Sequence, residues 1–166
     1  MRDTDDAPSP SALDLALLRR AVALSAEARA AGNHPFAALL ADADGTVLVE
    51  AGNGFGDSRD ATAHAERLVA GEASRRFGAA RLASCTLVSS AEPCAMCAGA
   101  AYWAGIGRMV YGLSEARLRR MTGAHPENPT LDLPCRVVFA AGQRPTAVLG
   151  PLLEDEAAAP HAGFWE

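Results

Sequence analysis

The stretch SSAEPCAMCAGA, residues 89–100, places two of the chain's four cysteines three apart, Cys94 and Cys97, directly behind Pro93. On the opening turn of a helix that spacing turns both sulfurs toward one point, which makes the pair a chelating clamp. Read as a metal clamp, the pair asks the fold to carry a further ligand, from another segment, to the start of that helix. The candidate is His64 in DATAHAE, which opens the preceding predicted helix just as the cysteines open the next. Two helix N-termini meeting over one sheet edge bring the three groups together, and their dipoles favour thiolate charge. Three protein ligands with a fourth position left for water is the catalytic pattern for Zn²⁺. Two residues beyond His64 stands Glu66, at a spacing from which a carboxylate takes a proton from water and hands it to a substrate.

Two other readings of these residues stay open at this level. A closed structural site would add Cys85 or Cys135 as a fourth ligand and leave Glu66 without a task. Both of those cysteines stand beside predicted strands, where a buried core thiol is the ordinary state. A redox pair of the CxxC kind would make no use of the upstream His-x-Glu.

The rest of the chain reads as alternating elements. Apolar residues at Leu13, Leu17, Leu24 and Ala28 predict an amphipathic helix from an N-cap at Ser11 to a stop at Gly32. PFAALLADADGTVLVEAGN predicts a β-hairpin turning near Asp42 to Gly45, and residues 54–62 a loop. Then follow a helix over 63–77, a strand over 86–90, a helix over 94–104, a strand over 108–112 and a short helix over 114–121. GAHPENPTLDLP reads as a loop, CRVVFAA as a last strand, and residues 151–159 as a short closing helix. This alternation predicts an α/β domain with a mixed sheet covered by helices on both faces. Residues 1–9 are expected to be disordered and residues 10–166 to form a single domain.

Charge restricts the partners. The 166 residues carry 20 acidic and 15 basic groups, net −5, and every basic residue is Arg. A chain that grips nucleic acid ordinarily has a basic face, and here the densest basic stretch, EARLRR, reads as a solvated helix face. No apolar run approaches the ~20 residues of a membrane span, and the opening MRDTDDAPSPS is acidic and polar, so no secretory signal is expected. A cytoplasmic location, a small-molecule substrate and no membrane partner are the expectation.

HAE followed by EPCAMC resembles the signature of the zinc-dependent nucleobase deaminases, H-x-E…P-C-x-x-C. GNHPFAALL, EAGN, DATAHAE, SSAEPCAMCAGAAYWA and GRMVYG are similar to that family in the same order, most of all to its branch of guanine deaminases and tRNA adenosine deaminases. The resemblance implies a three-layer α/β/α cytidine deaminase-like fold around a mixed five-stranded sheet, a Zn²⁺ on His64, Cys94 and Cys97, Glu66 as proton carrier, and a homodimer. It implies that Asn53 and the backbone at Ala65, Ala91 and Glu92 meet the substrate, with Glu92 also holding the loop before Pro93. Phe36 is a candidate for the ring pocket or the hairpin core, and Trp103 for a base platform, the core or a dimer surface. The resemblance further implies that residues 151–166 form a lid carrying His161, Phe164 and Trp165. Ala61 stands where the family often has Pro. The expected substrate is a free base or nucleoside, foremost a guanine-like purine; tRNA adenosine and a non-catalytic zinc-stabilised binding subunit are the alternatives.

Overall fold

The computed structural model describes residues 8–166; the expectation for the first seven residues lies outside them. Helix α1 (Ala12–Ala30) begins with a reciprocal cap. The Ser11 hydroxyl accepts the Asp14 N–H at 3.0 Å, and the Asp14 carboxylate accepts the Ser11 N–H at 2.9 Å. The chain then forms the hairpin β1 (Ala37–Ala41) and β2 (Val47–Gly52), a single turn α2 (Phe55–Ser58), and helices α3 (Ala65–Arg76) and α4 (Ala79–Leu82). Strand β3 (Thr86–Ala91), helix α5 (Ala95–Ala104), strand β4 (Arg108–Leu113) and helix α6 (Glu115–Thr122) follow. The chain closes with α7 (Cys135–Ala140), β5 (Ala147–Leu149) and α8 (Glu154–Ala158). The hairpin turn is tight at Gly45, whose φ of +88° suits glycine and over which Leu13 packs.

The strands form one sheet in the order β2-β1-β3-β4-β5, with β1 antiparallel to both neighbours and β3, β4 and β5 mutually parallel. Alternation along the central strands separates two cores. Leu39, Val88 and Val110 face Leu17, Leu18 and Ala21 of α1. Leu40, Leu87 and Met109 face the other way, onto Val69 and Ala73 of α3, Ala98 and Ala101 of α5, and Phe139 of α7. Because central strands are covered on both faces, β1 is apolar throughout. The result is the expected three layers around a mixed five-stranded sheet.

The segment CRVVFAA corrects the sequence reading, since it is helix α7 and not a strand. Its β-branched pair argues for extension, yet Cys135 and Phe139 are buried four apart while Arg136 and Val137 are both exposed. That is helical periodicity, and packing against α5 overrides local propensity. The last strand is instead the short β5, twelve residues later and too brief to show a pattern.

One ion pair ties the first helix to the sheet. Buried Asp14 accepts the Arg108 guanidinium at 2.5 and 2.9 Å, which, above all other causes, pulls its carboxyl from 3.8 down to about 2. Replacing Asp14 with Ala should cost about 2 kcal/mol in urea unfolding at pH 7, since it removes both the cap and the partner of Arg108. A folded pKa below the unfolded one gives stability that is present above about pH 4 and lost as pH falls toward 2. The difference between wild type and variant should therefore shrink across that window.

Candidate functional site

The site forms where β3 and β4 end, at the carboxyl edge of the parallel strands. β3 ends at Ala91, and Glu92-Pro93 lead into Cys94, the N-cap of α5, with Cys97 one turn on. His64 is the N-cap of α3, and α3 and α5 pack side by side on one face of the sheet, so their N-termini converge. His64 Nδ1 lies 3.5 Å from Cys94 Sγ and 3.6 Å from Cys97 Sγ, and the three ligand atoms fall within 4.8 Å of one another. A tetrahedral Zn²⁺ with N and S ligands at about 2.0 and 2.3 Å sets N and S about 3.5 Å apart, so the donor set fits that ion in both chemistry and spacing. Cys85 and Cys135 are buried outside this cluster, Cys85 Sγ against the Arg81 carbonyl at 3.3 Å. Among the described residues the cluster thus has three ligands.

The surroundings poise the groups differently. The Cys97 thiol donates to Cys94, which, aided by His64, brings the Cys94 thiol down to about 4. That same bond, together with burial, pushes Cys97 strongly up, and the Cys94 sulfur raises His64. Glu66 is buried at the side of the cluster and accepts the Ser89 hydroxyl at 2.9 Å. Burial first, and then the Cys94 charge, lift its carboxyl above the ordinary 4.5. A lifted carboxyl close to water and ligand is suited to carrying protons at neutral pH.

A cavity of about 460 Å³ opens onto these residues. Of the residues named from sequence, Phe36, Asn53 and Glu92 line it together with His64, Glu66 and Cys94. Asn53 is buried and its Oδ1 accepts the Phe55 N–H at 2.9 Å, so its NH₂ group is the part left to meet a ligand. Glu92 accepts the N–H groups of Glu115 and Cys135, each at 3.0 Å, and so holds the first turns of α6 and α7. Ala61 also lines the cavity. Its turn is fixed without proline: Asp60 Oδ1 accepts the Thr62 N–H at 2.8 Å, and Arg67 clasps both Asp60 and the Thr62 carbonyl.

Ala65, Ala91, Trp103, His161, Phe164 and Trp165 do not line the cavity. Trp103 is 85% exposed, while Ala65 and Ala91 are buried at the start of α3 and the end of β3. The C-terminal aromatics stand behind the cavity wall. Trp165 Nε1 donates to His161 Nδ1 at 3.1 Å, and the two rings pack on Phe36 at 5.0 Å (His161) and 6.0 Å (Trp165) between centroids. Trp165 also packs on His34 at 5.5 Å. His34, Ser89 and Glu115 escaped the sequence reading, as did the segment Pro126–Leu131, which supplies one wall. The pair of serines inside an otherwise apolar strand was the one available signal for Ser89. His34 Nε2 meets Glu127 Oε2 at 2.7 Å across 93 residues of sequence, a pairing no local pattern announces.

Residues 11–113 match the family model described as the cytidine and deoxycytidylate deaminase zinc-binding region. The chain is 44% identical over 155 residues to a Schizosaccharomyces pombe protein named "probable cytosine deaminase", covering 92% of this chain and 93% of that one. It is 44% identical over 88 residues to a guanine deaminase of Bacillus subtilis, covering 52% and 56%. A solved guanine deaminase from Nitrosomonas europaea superposes with a TM-score of 0.71 at 25% identity, over 97% of this chain and 96% of that one.

Proposed function

The chain belongs to the cytidine and deoxycytidylate deaminase zinc-binding family, and from that membership we propose that it hydrolyses the exocyclic amino group from a free heterocyclic base, with a guanine-like purine as the preferred ring. The observation that carries this reading is the placement of buried Glu66 beside the His64, Cys94 and Cys97 cluster at the floor of one cavity. A Zn²⁺ held there supplies the Lewis acidity that makes water a nucleophile near neutral pH. The proton steps fall to Glu66. It takes a proton from water as the C–O bond forms at the amidine carbon and passes it to a ring nitrogen. It then moves the remaining hydroxyl proton to the amine, so that the C–N bond breaks and ammonia leaves a carbonyl behind. Ser89 keeps the carboxyl oriented through these transfers.

A free base is favoured over nucleotide or nucleic acid because four glutamates, Glu66, Glu92, Glu115 and Glu127, line the cavity and no arginine among the described residues does. A phosphate near such a wall is repelled. Outside it, Arg117 and Arg119 of α6 are engaged by Asp155 at 2.8 Å and Asp132 at 2.7 Å, which weakens the case for a basic tract on that helix. The volume suits a small molecule. Cytosine is the second reading, favoured by the near full-length relative named for it. The test is ammonia release by zinc-loaded protein from guanine, cytosine, adenosine, cytidine, deoxycytidylate and an adenosine-containing anticodon stem-loop. Turnover of guanine above the others is expected. Cytosine turnover alone replaces the preferred ring, and turnover confined to the nucleotide or stem-loop overturns the free-base reading.

A further inference from the structure

Four carboxyl groups line the cavity, and three of them are engaged. Glu66 holds the Ser89 hydroxyl beside the metal ligands, Glu92 accepts two backbone N–H groups, and Glu127 pairs with His34. The carboxyl of Glu115 takes no hydrogen bond from any group among the described residues. Its position is nevertheless fixed. β4 ends at Leu113, and the Ser114 hydroxyl caps α6 by accepting the Arg117 N–H at 3.2 Å while donating to Glu154 at 2.6 Å. Glu115 is then the first residue of the helix, its own N–H anchored on Glu92, at the strand end next to the one that delivers Cys94.

We propose that Glu115 is a specificity-determining residue of this site, whose carboxyl pairs with the ring edge that presents an N–H beside a carbonyl or a ring nitrogen. The inference rests on the reading of the cavity as a free-base site and names the group that recognises the ring. A half-buried polar group with no protein partner is costly unless something else satisfies it, and this one opens onto a space sized for a small ligand. Burial and the acidic neighbours Glu92, Cys94, Asp132 and Glu66 raise the carboxyl to about 7, so the acid form is available at neutral pH. A carboxylic acid offers a donor and an acceptor side by side, the complement of a lactam or amidine edge.

The test uses the unreactive product bases xanthine and uracil, titrated calorimetrically into the zinc-loaded full chain, so that recognition is read apart from turnover. Wild type should bind at least one of them. Glu115→Ala should weaken that binding at least tenfold with zinc content and melting temperature unchanged. Glu115→Gln should recover part of the loss, because the amide keeps a donor and an acceptor. Affinity unchanged in the alanine variant, no binding by wild type, or a loss that tracks zinc loss would each overturn the proposal. Deamination of guanine and cytosine by wild type is measured separately. If the product bases bind through Glu115 while neither parent base is hydrolysed, the proposed activity fails and the recognition role stands.

Discussion

Replacing Glu66 with Gln removes turnover, by at least about a thousandfold in kcat, while zinc content stays at the wild-type level. Gln has the size of Glu and still accepts the Ser89 hydroxyl, so the pocket keeps its shape. What it loses is the ability to hold a proton and release it. The folded chain gains nothing from the carboxylate, which is buried and faces the Cys94 charge. The melting temperature of the variant should therefore equal or exceed that of wild type, a stability gain from removing a group kept for activity. The wild-type pH profile follows from the same environment. Glu66 must be ionised to take the first proton, so kcat should fall in acid as its carboxyl is protonated. Zinc analysis, calorimetric melting and ammonia release on one preparation check all three statements. Retained activity would remove Glu66 from the mechanism, and lost zinc would make it part of the metal site.

How much of this could be read from the chain depended on how local each signal was. The Cys94 and Cys97 clamp lies within one helical turn, and His64 and Glu66 lie within three residues, so local spacing groups each pair once its segment begins a helix, while the packing of α3 beside α5 brings the two pairs together. The two-sided burial of β1 is likewise written in its unbroken apolar run. Helix α7 was misread because a valine pair favours extension in isolation, and only packing of Cys135 and Phe139 against α5 decides otherwise. His34 and Glu127, or Ser89 and Glu66, meet because of strand order and loop path, which no spacing encodes. The aromatic C-terminus shows the same limit. Its composition announces burial, and Trp165 is buried, but against His34 and His161 behind the wall and not in the cavity itself.

Removing the metal should have the second large effect, and its pH dependence distinguishes a thiolate centre from a neutral one. Cys97→Ala deletes a fully buried ligand at the convergence of α3 and α5. Zinc content after gel filtration should drop to about a tenth or less, and ammonia release should fall to background. The melting temperature should fall by about 5–10 °C, the consequence of losing a ligand that binds only the folded chain. In the metal-free wild type, Cys94 with its pKa near 4 is already ionised at neutral pH. Cys97 keeps its proton, and His64, raised above 6.5, is partly protonated. Binding Zn²⁺ requires a Cys97 thiolate and a neutral imidazole, so protons leave as the ion enters. Affinity should therefore strengthen as pH rises, by about a hundredfold between pH 6 and pH 8 for each proton released over that whole range. Competition with a chromophoric chelator at the two pH values measures this, after correction for the chelator's own protonation. An affinity independent of pH would mean that the two thiols and the imidazole do not together form the ligand set.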